Sequence, residues 1–139
     1  MTAETDYTFN NENLDLIQNG ILLFNQEKFW ECHEELEHHW LESRGDNIRY
    51  VYWAVIQAAA CLYHVRQKNL VGARGLLKKT LDKLDKCEQF HIESNLLEKS
   101  LGWNDFKNEI RKINDKPELE DFEFLYRFKF KIPHIWSEK

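Results

Sequence analysis

No glycine-rich phosphate loop is present: the five glycines, at 20, 45, 72, 75 and 102, form neither GxGxxG nor GxxxxGK[ST]. The three cysteines, Cys32, Cys61 and Cys87, are an odd and widely separated set without a CxxC pair. That spacing suits neither a disulfide framework nor a zinc knuckle, and reads as small core residues in a reducing compartment. The start, MTAETDY, has no basic stretch leading into an apolar one, so no secretory signal is expected. The longest nearly apolar run, Tyr50 to Tyr63, is interrupted by Gln57 and is too short to span a bilayer. A soluble, cytoplasmic chain with no membrane partner is the expectation. Nor is there a surplus of base. The net charge of −5 argues against nucleic-acid binding, which needs clustered lysine and arginine against phosphate.

What is present is acid at one end and base in the middle. Residues 1–44 carry ten acids against Lys28 and Arg44, whereas residues 66–86 carry seven bases against two acids. Intramolecular pairing of the two segments is the simplest use of that asymmetry. At 139 residues the chain has room for one core and one domain.

The apolar spacing is helical over most of the chain. Residues 1–10 read as a flexible tail, and Asn10 or Asn11 caps a first helix through LDLIQNGILLF. A second helix runs from about Glu27 to Glu42 and stops at SRGDN, with Gly45 as the left-handed stop and Asp46 or Asn47 as the next cap. The third, IRYVYWAVIQAAACLYHVRQ, is apolar nearly all round and should be the central element. The fourth, LVGARGLLKKTLDKLDK, carries Ala73, Leu77, Thr80, Leu81 and Leu84 on one stripe, and a fifth lies near WNDFKNEIRKI, before Pro117. The expected fold is all-α: a compact bundle of about five helices over residues 11–116, with residues 117–139 as an extended aromatic tail.

That tail has period two. Phe122, Phe124, Tyr126, Phe128, Phe130 and Ile132 alternate with mostly charged positions, the mark of a strand. Pairing it with a second copy about Tyr126 would set Asp121 against Lys131, Glu123 against Lys129, Phe122 against Phe130 and Phe124 against Phe128. A homodimer through residues 121–131 is one expectation, and an aromatic tail lying over its own bundle is the other.

Polar chemistry concentrates in FWECHEELEHHW, residues 29–40. On a helical wheel at about 100° per residue, Phe29, Cys32, Leu36 and Trp40 form the core stripe. His33 and Glu37 fall at about 40° and 80° from Phe29, on the core side, whereas Glu31, Glu35, His38 and His39 read as solvated. HExxE resembles the HExxH arrangement in which side chains one turn apart converge on an ion. Glu35 and His38 have the spacing of a di-iron ExxH, but they point outward and no second ExxH follows. A third ligand would have to come from helix three, whose polar stripe holds Gln57 and His64. Counting outward from Gly45 places His33 level with Gln57 and Glu37 level with Trp53. Three readings stay open: a buried hydrogen-bond network of His33, Glu37, Trp53 and Gln57, a metal or catalytic site, or a polar ligand pocket. No strand-turn-helix nucleophile elbow or activated cysteine context supports serine or cysteine catalysis.

LFNQEKFWECHEELEHHW, followed by VIQAAACLYHVRQKNLVGARGLLKKTLDKL, resembles the domain of unknown function 309 family over about residues 22–84. The likeness rests on F-x-E-C-H-E-x-L-E-x-x-W, the I-Q-A-A-A helix ending in His64, and N-x-x-G-A leading into a leucine-rich helix. It implies a compact helical bundle, with the family motif on His33, Glu34, Glu37, Trp40, Gln57 and His64. Members have been labelled metal-dependent hydrolases, a label that looks like inference from the motif. Lys68 stands where the pattern calls for glycine before Asn69, which bears on the loop geometry.

Two functions follow. In the first, His33, Glu37 and His64 hold a divalent ion, zinc or manganese, whose bound water is activated with Glu34 as base. In the second, which the missing third ligand favours, the chain is a non-catalytic binding or interaction module with a polar cluster of His33, Glu37, Trp40, Trp53, Gln57 and His64.

Overall fold

A computed structural model describes residues 8–42 and 46–138, and the expected stop at Ser43, Arg44 and Gly45 lies outside the described residues. Within them the chain is all-helical, with seven α-helices where about five were expected. These are α1 (Asn11–Asn25), α2 (Phe29–Glu42), α3 (Arg49–Arg66), α4 (Leu70–Gln89), α5 (Asn95–Leu101), α6 (Trp103–Arg111) and α7 (Glu123–Arg127). Short 3-10 turns cover Leu119–Phe122 and His134–Glu138.

Local chemistry explains the starts and stops. Asn10 and Asn13 exchange side-chain and backbone hydrogen bonds in a reciprocal cap at the head of α1. Asn69 accepts from the Gly72 amide at α4, and Ser94 from the Leu97 amide at α5. Gly102, at φ 68°, ends α5 in the left-handed region and opens α6 directly, so one bend produces two helices. Asp46 accepts from the Ile48 amide in the turn leading to α3, whose N-cap, Ile48, makes no side-chain bond.

Helix α3 is the centre. Tyr52, Ala54, Val55, Ala59 and Leu62 are wholly buried, α2 and α4 flank it, and α1 closes over α2. Gly20 of α1 sits so close to Leu36 of α2 that an added Cβ would come within 2.3 Å of its side chain. Thr8 to Asn10, expected in the tail, are held in the fold: Phe9 is buried, its amide bonds to the Ile92 carbonyl, and its carbonyl accepts from Ser94 Oγ. An ionic cluster ties α6 to α4. The Lys107 ammonium, 10% exposed, lies 2.7 Å from Glu88 and 2.9 Å from Glu93, while Arg111 reaches Glu88 and Asp85. Glu93 also accepts from the Trp103 indole at 2.6 Å.

The extended strand expected over 121–131 is not formed. Residues 119–127 are helical turns, and no strand occurs among the described residues. Phe122 and Leu125 are buried three residues apart, whereas Phe124 is 71% exposed. The two-fold pairing of Asp121 with Lys131 needs an extended backbone that these residues do not adopt. Leu125, out of phase in the period-two reading, is the residue that sets the helical phase. The chain straightens only after Phe128. There Asn25 Nδ2 donates to the Phe130 carbonyl at 2.9 Å, and Asn25 Oδ1 accepts from the Phe130 amide at 2.8 Å. The Phe130 ring is buried against Phe24 and Phe106, at centroid separations of 5.0 and 4.7 Å. The segment is therefore a strap pinned across the bundle. Among the described residues no helix is long and apolar enough to cross a membrane.

Candidate functional site

The motif residues collect on one face, where a half-exposed stripe of α3 runs between α2 and α4. Trp53, Gln57, Ala60 and His64 fall within about 60° of one another on the α3 wheel, and all four are partly exposed, while the residues on either side of the first three are buried. Contacts on either side fix the neighbours. Toward α2, the Tyr63 ring lies 5.3 Å from Trp30. Toward α4, Cys61 Sγ donates to the Ala73 carbonyl, and the Lys83 ammonium sits 4.2 Å above the Trp53 ring.

The Trp30–Tyr63 contact shifts the helix register by about a turn from the one counted through Gly45. It brings His33 level with Ala60, between Gln57 and His64, rather than level with Gln57. The expected burial of Glu37 is also corrected. Phe29, Cys32 and Leu36 are fully buried and centre the core stripe of α2 about 27° to the far side of Phe29. Glu37 therefore lies more than 100° from that centre and is exposed, while His33, nearer the stripe, is half-buried. Glu34, the expected base, is exposed as well. Glu35 pairs with His39 at 3.3 Å, and the side chain of Trp40 lies outside the described residues.

Neither the metal trio nor the buried network is assembled. Among the described residues, no three His, Cys, Asp or Glu side chains stand close enough to hold one ion. His33 Nδ1 and Gln57 Oε1 are both buried without a hydrogen-bond partner, so the two do not bond to each other or to Glu37. His64 is engaged elsewhere. The Asn69 side chain, whose oxygen accepts from the Gly72 amide, turns its nitrogen to His64 Nδ1 at 3.1 Å. An amide nitrogen only donates, so Nδ1 accepts and the neutral ring carries its proton on Nε2. Gly72 leaves room for this, since a Cβ there would come 2.9 Å from both partners. His64, Asn69 and Gly72 thus form the α3–α4 corner. Lys68, at φ 60°, occupies the left-handed region in that corner, at the position where glycine was expected.

Sequence reasoning passed over Trp30, the most prominent member of the face. Its ring is 47% exposed, stacks on His33 at 5.1 Å with 14° between planes, and leans on Tyr63. The signal was its wheel position, a full 100° from Phe29, where a large aromatic has no core to enter. On the same exposed face, Glu34 and Glu37 follow one and two turns along. Two clefts lie away from this face: one of about 330 Å³ beside Glu109, Asp121 and Phe124, and one of about 350 Å³ between Gly102 and Lys129.

Comparison with known proteins agrees with the likeness drawn from the motif. A segment of 53 residues is 36% identical to "Uncharacterized protein YpuF" of Bacillus subtilis (strain 168), covering 38% of this chain and 30% of that protein. The chain therefore matches less than a third of that relative's length. No solved structure matches. The family described as "Domain of unknown function (DUF309)" matches from Ile17 to Leu76, taking in most of α1, all of α2 and α3 and the first turns of α4. Over residues 17–76, somewhat under half of its length, this chain is similar to the DUF309 family.

Proposed function

We propose that the chain is a non-catalytic helical binding module whose partner docks on the α2–α3 face around Trp30. The observation that carries this is the ring itself, half-exposed yet held by His33 and Tyr63 in one orientation. Rigid aromatic side chains that lose little entropy on contact are the usual anchors of protein interfaces. The α3 stripe beside it adds further partly exposed aromatic surface at Trp53. The three thiols, all buried and unpaired, suit a reducing cytoplasm.

The hydrolase alternative needs His33, Glu37 and His64 on one ion, with Glu34 beside it. The exposure of Glu37 and the engagement of His64 by Asn69 weigh against that set. Metal content by mass spectrometry, on tag-free protein dialysed against metal-free buffer and then offered zinc or manganese, tests the choice. No stoichiometric metal, and a melting temperature indifferent to chelator, is the expected result. A bound ion that is lost in His33→Ala would overturn the module reading in favour of the hydrolase.

A further inference from the structure

Resting on that reading, we infer that the Trp30 face takes arginine side chains presented by an extended segment of a protein partner. Three features of α2 point to this chemistry. The Trp30 ring stacks on His33 and leans on Tyr63 yet stays 47% exposed, which leaves indole surface for a planar group to stack upon. Glu34 and Glu37 lie about 40° and 20° to either side of the line through Trp30, both exposed. Neither carboxylate forms an ion pair among the described residues, although Glu27, Glu35, Glu88 and Glu93 all do. Among those residues, two negative charges thus stand without an ion-pair partner beside a half-exposed ring.

A ring face and a carboxylate recognise the same ligand group. Guanidinium stacks on indole through its cationic plane and presents paired N–H donors at its edge to carboxylate oxygens. A guanidinium held between aromatic rings and an oxygen acceptor already occurs within this fold. The Arg66 guanidinium lies 5.1 Å from the Phe29 ring centre and 5.8 Å from that of Tyr126, and donates to the Glu27 carbonyl. Trp30 follows Phe29 directly, so the outer face repeats, for a partner, an arrangement the inner face makes for itself.

The spacing selects a pattern. Trp30 and Glu37 are seven residues apart, about 10 Å along a helix. Three residues of an extended polyproline II backbone, at three residues per turn and about 3.1 Å each, span about 9 Å and bring residues i and i+3 to the same face. Two arginines separated by two residues would therefore put one guanidinium over Trp30 beside Glu34 and the other against Glu37.

The test uses the full chain and an acetylated, amidated peptide, Arg-Gly-Gly-Arg, with lysine and citrulline versions, followed by indole N–H shifts and by calorimetry. Saturable binding of the arginine peptide is expected, weaker binding of the lysine peptide, and none of the citrulline one. Trp30→Ala should weaken binding about two- to fivefold, the range of an exposed cation–π contact. Glu34→Gln with Glu37→Gln should weaken it about three- to tenfold, as for two exposed ion pairs, and more salt should weaken it further. Circular dichroism confirms that the variants fold. No saturation at millimolar peptide, equal binding of the lysine or citrulline peptide, or binding untouched by both variants would overturn the inference. Peptide failure without metal uptake removes the arginine assignment and leaves the binding module; metal uptake lost in His33→Ala removes the module itself.

Discussion

The packing of α1 on α2 makes a prediction whose sign depends on tertiary contact alone. Gly20 and Gly75 both lie inside helices, where replacing glycine with alanine should stabilise by about 1 kcal/mol through backbone entropy. At Gly75 nothing lies within 4 Å of an added Cβ, so Gly75→Ala should realise that gain. At Gly20 the new carbon would meet Leu36 Cδ2 and Cγ at 2.3 Å and Cδ1 at 2.7 Å. Leu36 is fully buried and has no open space to turn into. Relief requires α1 and α2 to separate by more than an ångström, which breaks contacts along both helices. Overpacking of this severity costs about 3 kcal/mol, so Gly20→Ala should destabilise by about 2 kcal/mol net of the helical gain. For a chain of this size that is a melting temperature lower by roughly 6 to 8 °C, against a rise of roughly 3 to 4 °C for Gly75→Ala. Urea unfolding read by circular dichroism gives both values. The decisive comparison is a double-mutant cycle with Leu36→Ala. Removing the obstructing side chain should leave only the helical gain, so that Gly20→Ala stabilises by about 1 kcal/mol there, a coupling of about 3 kcal/mol. If the two glycine variants shift stability in the same direction, or the cycle shows no coupling, the assignment of Gly20 to close helix approach is wrong.

Two further outcomes follow from the structure. Lys68→Gly should stabilise by about 0.5 to 1 kcal/mol, because a left-handed lysine carries about 1 to 2 kcal/mol of strain and glycine returns part of the gain as unfolded-state entropy; a lower urea midpoint would refute the strain argument. Hydrogen bonds from Arg111 and then Lys107 hold the Glu88 carboxyl down to about 2, below its ordinary 4.5. Its contribution is therefore fully present above about pH 4.5 and disappears as pH falls toward 2, so wild type should lose more melting temperature than Glu88→Gln over that window; parallel acid profiles would show that the pairing adds nothing.

Helix content, the central place of α3, the Asn10 cap and the DUF309 likeness were all legible in the residues, because apolar period and cap chemistry are local properties. Leu125 shows where local reading failed. Six alternating residues from Phe122 to Ile132 outvoted it, yet a lone segment with no strand to pair with satisfies its backbone better in helical turns, and Asn25, more than a hundred residues away, supplies the bonds where it does extend. The break between α5 and α6 was readable in Ser94 and Gly102 but hidden by the shortness of α5.

The candidate site divides in the same way. The motif and the side of α2 on which His33 lies follow from 3.6 residues per turn, a property the sequence carries by itself. Three further outcomes needed the assembled fold: that Glu37 is exposed, that His64 spends its Nδ1 on Asn69, and that the Trp30 ring is supported by His33 and Tyr63 while staying half-exposed. Each is set by where a second helix sits. That position is decided by the summed packing of Phe29, Cys32, Leu36, Gly20 and Tyr63 across helices, which spacing along a single helix does not encode.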